Sequence, residues 1–340
     1  MKFIKKIENF YSLSKVNDHY YITNRDKKLI ILDNQLNILL EEYLKLNKME
    51  NIKHFFTHKN DVYYLNDIGH FGLYKEKKII SSNNNIKLPY YKNQNFNDKY
   101  LLFSKGRIGN RSYGVYNLEN KKNLWEQPNL KGAILIKDFV FSKNINETIL
   151  NLHKKETGEI LWHLDLSKEF GTLKISHFIG VCKSVLIIGI GATTDVENYL
   201  VGIDTKTANI LWQVKTIPNF YQIDDKTNSI VTIVEGFERR DLFSGKVLDR
   251  FTDNTIFGID LFSSQRNNFV QAEDYLITTD WRKGKIGAFN TVTHKFDWMH
   301  EEKGVSFPVG SPMIYKAPYL FVQDNKHTLH IFEKQENILA

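Results

Sequence analysis

The feature that most constrains this chain is a unit that recurs along it. Each copy has an apolar, β-rich run, a polar turn, a second apolar run and a further turn that often leads to a tryptophan. The clearest copies end at Trp125, Trp162, Trp212 and Trp298, and weaker copies fill the remaining stretches. The hairpins begin near residues 20, 62, 101, 139, 185, 230, 275 and 320, a mean spacing of about 43 residues. A β-type period of about 40–50 residues is typical of a four-stranded propeller blade.

The repeat predicts an all-β fold, a single β-propeller of four-stranded blades that spans residues 1–340. One blade has two apolar faces that it cannot cover by itself. Packing blades face to face covers both faces and leaves only short edges. Because eight units at this spacing account for the whole chain, we expect eight blades, with seven as the alternative, and no second domain.

Two stretches fit the repeat less well. Apolar residues between Leu36 and Leu44 recur at helical spacing, so this part of the first blade is either a short helix or a fourth strand followed by a loop. The asparagine-rich segment Ser81–Asn97 predicts a long loop between blades.

The composition excludes several classes of protein. With 42% hydrophobic and 25% charged residues the chain is not of the disordered type, and Cys182, its single cysteine, excludes a disulfide scaffold. No apolar run approaches the roughly 20 residues that a membrane-spanning helix needs. The first ten residues lack the apolar core of a secretion signal, so we expect a cytoplasmic protein, or a mature one without its signal.

The ends of two copies, Thr157–Trp162 (TGEILW) and Thr207–Trp212 (TANILW), resemble the repeat of quinoprotein-type, or PQQ-like, β-propellers. In that family a turn glycine precedes a strand that ends in tryptophan, and the indole stacks between neighbouring blades. Gly158 supplies this glycine, whereas Ala208 replaces it in the next copy. The resemblance covers about half of the blades and implies the propeller fold. The family includes dehydrogenases, assembly scaffolds and binding proteins, so it implies little about function.

The chain departs from the enzymes of that family. Quinoprotein dehydrogenases carry a vicinal cysteine pair beside the cofactor, and Cys182 is the single cysteine here. They also hold a calcium ion with Glu, Asn and Asp, a constellation that this sequence does not show. The propeller lipoproteins that help to assemble outer-membrane barrels need a lipidated cysteine near the N-terminus, which is missing as well. We therefore expect no cofactor, no metal site and no catalytic residues.

Other motifs that could carry chemistry have plainer explanations. Gly189–Gly191 follows a strand as a dinucleotide loop would, but a strand and not a helix comes next, which favours a hairpin turn. Two histidine pairs, His54 with His58 and His327 with His330, lack the three or four ligands of a zinc site. We expect these histidines at the surface or half-buried.

An enzyme is nevertheless an alternative. Propeller hydrolases and lactonases place carboxylates at the inner strands around the axis, often on a metal ion. An enzyme with a serine nucleophile is not indicated, because Ser244 lies in a repeat turn, where serine is expected without any catalytic role. Aspartates at strand ends could form such a site, although turns favour aspartate in any case. They are Asp204, Asp224, Asp225, Asp260 and Asp280.

The turns between the second and third strands of each blade are the expected binding surface. In a propeller they open on one face, and loop diversity on a regular scaffold gives binding proteins their specificity. These turns carry more cations than acids, and Trp281 places an aromatic ring beside cations at a turn tip. The predicted partner-binding residues are Arg107, Arg111, Arg239, Arg240, Trp281, Arg282 and Lys283.

The sequence therefore predicts a non-catalytic protein-binding propeller that has no membrane contact and is monomeric when free. The net charge of +7 is mild, so nucleic acid is not an expected partner. The architecture without catalytic residues or a signal resembles the immunity proteins of bacterial toxin–immunity pairs. That resemblance implies a cognate toxin whose active site the propeller covers. A metal-dependent hydrolase or lyase with a site on the central axis, and a general assembly scaffold, are the alternatives.

Overall fold

A computed structural model describes residues 1–46, 50–76, 78–81, 88, 99–107, 110–136, 138–191, 197–216, 221–233, 236–252, 269–280, 283–308 and 311–335. The chain divides into two compact units. The long unit is Tyr11–Thr216, and the split unit combines Met1–Phe10 with Ile217–Ala340. The first strand, β1 (Lys2–Ile7), belongs to the split unit. No helix in these ranges is long and apolar enough to cross a membrane.

The long unit is built from five antiparallel sheets whose strands follow one another in chain order. The first sheet has β2 (Phe10–Val16), β3 (His19–Asn24), β4 (Lys28–Leu32) and β5 (Ile38–Tyr43). The second has β6 (Ile52–His58), β7 (Asp61–Asn66), β8 (Phe71–Lys75) and β9 (Lys78–Ser81). The third has β10 (Tyr100–Arg107), β11 (Asn110–Asn117) and β12 (Lys122–Gln127). The fourth has β13 (Leu130–Ile136), β14 (Phe139–Asn144), β15 (Ile149–Lys154) and β16 (Ile160–Asp165). After the helix α1 (Ser167–Phe170), the fifth has β17 (Ile175–Cys182), β18 (Val185–Ile190), β19 (Tyr199–Asp204) and β20 (Ile210–Lys215).

The split unit contains three further four-stranded sheets. The sixth sheet has β21 (Gln222–Asp224), β22 (Ser229–Thr232), β23 (Phe237–Asp241) and β24 (Val247–Phe251). The seventh has β25 (Phe269–Ala272), β26 (Tyr275–Asp280), β27 (Lys285–Asn290) and β28 (Lys295–Glu301). The eighth has β29 (Met313–Lys316), β30 (Tyr319–Gln323) and β31 (Leu329–Glu333), and its fourth strand is β1.

The eight predicted hairpins are the second and third strands of these eight sheets. Their second strands begin at His19, Asp61, Tyr100, Phe139, Val185, Ser229, Tyr275 and Tyr319. Eight sheets confirm the prediction of eight blades rather than seven. The described part of the third sheet has three strands, which correspond to the second to fourth strands of the others. The loop predicted over Ser81–Asn97 lies almost entirely outside the described residues.

The segment between Leu36 and Leu44 is a strand and not a helix. β5 pairs with β4, with Ile31 opposite Leu40. Helical spacing is misleading here because two members of the pattern face outward: Leu39 is 54% exposed and Tyr43 71% exposed. The backbone hydrogen bonds of the β4–β5 ladder decide the conformation of this short segment.

Burial falls from the middle of each sheet to its outer edge. All six residues of β18 are buried. In β16, the last strand of its sheet, three residues are exposed and the other three are half-buried. Apolar residues on both faces of the middle strands therefore pack against neighbouring sheets and supply the core. The outer strands face solvent.

The recurring tryptophans occupy one structural position. Trp125, Trp162, Trp212 and Trp298 each lie in a fourth strand, directly beside a one-residue bulge in its pairing with the third strand. The indole N–H of Trp125 donates to the carbonyl of Lys155 in the next sheet at 2.8 Å. Trp125 and Trp162 thus pack between sheets, as the resemblance implies.

Candidate protein-binding surface

The turns that join the second strand to the third are anchored by an amide or carboxylate at the end of the second strand. Asn24 accepts the backbone N–H of Lys28 at 2.8 Å, and Asn66 accepts that of His70 at 2.8 Å. In the eighth sheet, Asp324 accepts the N–H of Thr328 at 2.9 Å. Asn144 and Asp280 cap their turns in the same way. Such side-chain caps fix the conformation of each turn.

Neighbouring turns of the long unit share one end of their sheets. The carbonyl of Ile52 accepts the hydroxyl of Thr23, beside the first turn, at 3.0 Å. The adjacent carbonyl of Asn51 accepts the N–H of Asp67, in the second turn, at 2.9 Å. Both turns therefore rest on the chain segment that enters the second sheet.

The same arrangement joins the turns of the fourth and fifth sheets. The N–H of Ile175 donates to the carbonyl of Glu147 in the fourth turn at 2.8 Å. The N–H of Gly191, which begins the fifth turn, donates to the carbonyl of Lys174 at 2.8 Å. The fourth turn and Gly191 are thus both hydrogen-bonded to the segment that enters the fifth sheet.

The anchored turns of the long unit present different side chains at their tips. Arg25 is exposed in the first turn, Ile68 is 43% exposed in the second and Ile145 is 51% exposed in the fourth. We call these three residues the turn tips. A fixed backbone with exposed apolar and cationic tips is suited to contact with another protein surface.

In the split unit, the seventh and eighth turns are linked by the segment that follows β28. The N–H of Glu302 donates to the carbonyl of Gly284 at 2.9 Å, and Ser306 and Asn325 exchange two hydrogen bonds of 2.9 and 3.0 Å. Lys283 and Lys326 are exposed in these turns. These two lysines place positive charges at turns that are hydrogen-bonded to a neighbouring segment, like the turns of the long unit.

The seven residues predicted from sequence have different positions. Lys283 is exposed at its turn, with its ammonium 3.8 Å from the Asp280 carboxylate. Arg111 is half-buried near the start of β11, opposite Gly106. Trp281, Arg282 and the side chain of Arg107 lie outside the described residues.

Arg240 is not at a turn. The prediction assigns it to the sixth turn, but it lies inside β23 and is 8% exposed. Its Nε donates to Glu238 at 2.5 Å and its Nη1 to the carbonyl of Gly245 at 3.0 Å. Burial opposes ionisation of Glu238, but bonds from Arg250, Arg240 and Tyr221 outweigh it, so the pKa of Glu238 lies below its ordinary value. Arg240 therefore neutralises a buried carboxylate and is not free to bind a partner.

Arg239 lies on the opposite face of the same strand and is half-buried. Its Nη2 donates to the hydroxyl of Thr291 at 3.0 Å, and its guanidinium is 5.6 Å from the centre of the Phe237 ring. These contacts hold Arg239 against the seventh sheet. β22 ends at Thr232 and β23 begins at Phe237, so both arginines lie within a strand and not in the turn between the two strands.

The two apolar turn tips were not found from the sequence. Ile68 and Ile145 each stand just after the second strand of their hairpin, where solvent-facing polar residues are the rule. The available signal was an isoleucine within the turns Asp67–Gly69 and Ile145–Glu147. Exposure distinguishes such a tip from a buried strand residue, and exposure is a property of the fold.

Most of the other chemical candidates are engaged in turn caps and side-chain pairs. Asp204 accepts the N–H groups of Lys206 and Thr207, and Asp224 accepts that of Lys226. Ser244 donates its hydroxyl to Asp241 at 2.7 Å within one turn. Asp225 is exposed, and Asp260 lies outside the described residues.

The histidine pairs are separated into different contacts. His54 shares a hydrogen bond of 2.9 Å with Ser14, whereas His58 lies 4.0 Å from Glu119. His330 is buried and bonds to Asp324 at 2.8 Å. Within the described ranges no three His, Cys, Asp or Glu residues are grouped as a metal site.

Comparisons with known proteins find similar structures but no related sequences. No protein-family model matches the chain, and no curated protein sequence matches it significantly. The computationally designed protein Ika8 is 12% identical and matches with a TM-score of 0.65 over 96% of each chain. Sqt1 of Saccharomyces cerevisiae is 10% identical, with a TM-score of 0.65 over 98% of each chain. The Dos1 propeller is 11% identical, with a TM-score of 0.61 over 98% of this chain and 94% of that one.

These similarities show the fold. The chain is an all-β protein of the β-propeller type with eight blades, as the repeat predicts. Two dehydrogenases, the quinohemoprotein alcohol dehydrogenase of Comamonas testosteroni and a europium-containing methanol dehydrogenase, match over 65% of the chain with TM-scores of 0.48 and 0.43.

Proposed function

We propose that this protein is a non-catalytic protein-binding propeller that neutralises a cognate bacterial toxin, as immunity proteins do. The observation that carries the proposal is the set of anchored turns with unlike, exposed tips. Arg25 is cationic whereas Ile68 and Ile145 are apolar, although their turns share the same cap. Constant anchoring with variable tips is how a regular scaffold acquires a specific partner.

The exposed cations support an acidic partner surface. Arg25, Lys283 and Lys326 are exposed at their turns. Cations at the rim of an interface speed association by electrostatic steering, while apolar contacts such as Ile68 and Ile145 slow dissociation. A toxin whose active-site surface is acidic would be captured in this way, and coverage of that surface would block its substrate.

The aspartates that an enzyme would need are mostly engaged elsewhere. Asp204, Asp224 and Asp280 hold the N–H groups of their own turns. A carboxylate that caps a turn is an ordinary structural element of a hairpin. This favours the binding function over a metal-dependent hydrolase or lyase.

The test compares two double variants that add the same charge at apolar sites of similar exposure. Ile68→Asp with Ile145→Asp alters two turn tips. Ile38→Asp with Ile160→Asp alters fourth strands, where these residues are 59% and 49% exposed. Each tagged protein is used to capture partners from its native cell at moderate salt, and the bound proteins are identified by mass spectrometry.

We expect one stoichiometric protein, encoded beside this chain, to co-purify with the wild type and with the fourth-strand variant but not with the turn-tip variant. Expression of that partner should arrest growth, and co-expression of wild-type propeller should restore it. A partner retained by the turn-tip variant contradicts the proposed surface. An empty eluate, or a partner without toxicity, contradicts the immunity function, and tightly bound metal in the purified protein would favour the enzyme.

A further inference from the structure

The eighth sheet lacks the turn that joins the third strand to the fourth in the other sheets. Its third strand is β31 and its fourth is β1, and these come from opposite ends of the chain. The strands pair normally, with Phe3 opposite Phe332 and Lys6 opposite His330. What is missing is the connecting turn, and this turn has a packing role elsewhere.

In the long unit, the third-to-fourth turn of one sheet covers the tryptophan of the sheet before it. The indole N–H of Trp125 donates to the carbonyl of Lys155, and that of Trp162 donates to the carbonyl of Thr205, both at 2.8 Å. Lys155 and Thr205 are each the first residue after a third strand. Gly158, further along the first of these turns, lies so close to Trp125 that a Cβ there would be 2.6 Å from the indole ring.

Trp298 of the seventh sheet packs on an equivalent ring of the following sheet, but no third-to-fourth turn lies over its other side. Its ring packs edge-on to Phe332 at 5.4 Å, as Trp125 stacks on His153 at 5.8 Å, and Phe332 and His153 hold equivalent positions in their third strands. Lys334 is the residue that corresponds to Lys155. Within the described part of the chain, the indole N–H of Trp298 has no hydrogen-bond acceptor.

A pocket lies over Trp298 where the turn would be. The pocket has about 430 Å³ of empty space, open solvent included, so it is an open depression rather than a closed cavity. Its walls include Met1, Ala272, Ala288, Trp298, Lys334 and Gln335. Ala288 is the residue paired with Trp298, and its small side chain leaves the pocket deep.

The charged groups at the pocket are already bonded within the protein. The ammonium group of Lys334 bonds to Glu273 at 2.5 Å. The carboxylate of Asp297 accepts the hydroxyl of Tyr275 at 2.9 Å and the amide of Asn290 at 2.8 Å. The occupant therefore needs a small, nearly uncharged surface and a carbonyl for the indole N–H.

We propose that the pocket over Trp298 binds a tight turn of a partner polypeptide, with a small residue against the indole and a backbone carbonyl accepting its N–H. The turns over Trp125 and Trp162 show what this kind of site accepts. The inference rests on the proposed function in that the occupant belongs to a protein partner, but it uses a site separate from the turn tips.

The test uses the protein's own turn as the probe. A synthetic peptide with the sequence of His153–Ile160 is added to full-length protein labelled with 5-fluorotryptophan, and the five ¹⁹F resonances are followed. The Trp298→Phe variant assigns the resonance of interest. The control peptide carries valine in place of the glycine, because a β-branched residue neither adopts a positive φ readily nor fits against the ring. Gln335→Phe narrows the pocket from its exposed rim, and Lys246→Phe is the matched exposed control.

We expect the first peptide to shift the Trp298 resonance in a saturable way while the other four stay in place. The valine peptide and the Gln335→Phe variant should abolish the shift, and Lys246→Phe should retain it. No shift, an equal shift with the valine peptide, or equal shifts of all five resonances would overturn the proposal. A further variant lacks residues 336–340. If this deletion shifts the Trp298 resonance, the chain's own end occupies the pocket and the partner proposal is wrong. Because the peptide needs no natural partner, failure here is distinct from failure of the capture experiment.

Discussion

Asp249 and His294 form a hydrogen-bonded pair at the position where a tryptophan and a turn residue meet in other sheets. The carboxylate of Asp249 lies 2.9 Å from Nε2 of His294. Asp249 pairs with Arg239 directly beside the bulge of its sheet, as Trp125 pairs with Val115 beside its own. His294, at φ +55°, holds the turn position of Gly158, at φ +72°. One site between sheets thus accepts either an aromatic–glycine contact or a hydrogen-bonded carboxylate–imidazole pair.

This equivalence predicts that the pair Asp249–His294 can be replaced by tryptophan and glycine together, but not by changing one residue alone. Asp249→Trp would press an indole against the His294 ring, which already packs on Phe251 at 5.1 Å. His294→Gly would leave Asp249 without its partner. The double variant recreates the pair seen at Trp125 and Gly158, so we expect it to be more stable than the sum of the single changes by about 1 kcal/mol or more.

Urea unfolding of the wild type, both single variants and the double variant measures this coupling. The control combines Asp249→Trp with His163→Gly, because His163 is exposed in a different sheet. Those two changes should be additive to within about 0.5 kcal/mol. Equal coupling in both doubles would show that the sites are not equivalent.

The turn over Trp125 gives a second prediction. Gly158 has φ +72°, and a Cβ there would be 2.6 Å from the indole of Trp125. Gly158→Ala should therefore lower the free energy of unfolding by about 1–3 kcal/mol, from backbone strain and from displacement of the ring. The matched change is Ala208→Gly, because Ala208 already has φ +61° in the corresponding turn.

Ala208→Gly relieves the strain of a left-handed alanine but adds freedom to the unfolded chain, so the two effects offset each other. We expect a change of less than about 1 kcal/mol in the free energy of unfolding. Thermal and urea unfolding of the two variants give the comparison. If Gly158→Ala proves as mild as Ala208→Gly, the close approach to Trp125 does not constrain this turn.

The repeat predicted the strands well because burial depends on pattern. All eight hairpins and the role of the four tryptophans follow from apolar runs whose period is that of a blade. Between Leu36 and Leu44 the pattern was misleading, since the exposed Leu39 and Tyr43 imitate the apolar face of a helix. In so short a segment, backbone pairing with β4 outweighs the intrinsic conformational propensity of the residues.

The candidate surface was harder to predict because it depends on exposure. Arg240 and Lys283 look alike in sequence, yet one neutralises buried Glu238 and the other faces solvent. The open position over Trp298 depends on the pairing of β1 with β31, which joins residues at opposite ends of the chain. A local reading of the sequence does not reveal such a pairing.

His153 makes the stability of the long unit depend on pH. Its imidazole is fully buried, stacks on Trp125 and shares a hydrogen bond of 2.7 Å with Ser142. Burial lowers the pKa of His153, and its bond with the carbonyl of Gly158 opposes this only in part. The folded protein therefore holds a neutral imidazole, while the unfolded chain binds a proton near pH 6.5.

The direction of the pH dependence follows from this difference in proton binding between the folded and unfolded states. The contribution of His153 is complete above about pH 6.5, where both states are neutral, and it is lost as the pH falls below that value toward the folded-state pKa. Each pH unit by which the pH falls within that interval lowers the free energy of unfolding by up to about 1.4 kcal/mol. We expect Ser142→Ala with His153→Phe to flatten the profile, because Phe289 and Phe332 show that a phenyl ring fits the equivalent positions.

Urea unfolding between about pH 7.5 and pH 5 tests the prediction, since the reference pKa of histidine lies within that interval. The control is His163→Gln, which removes an exposed histidine in the same unit. His300, whose pKa is also lowered mainly by burial, is present in every protein and adds the same background. The double variant should lose less stability than the wild type as the pH falls, and the control should follow the wild type. Parallel profiles for all three proteins would mean that His153 is protonated in the folded state at no cost.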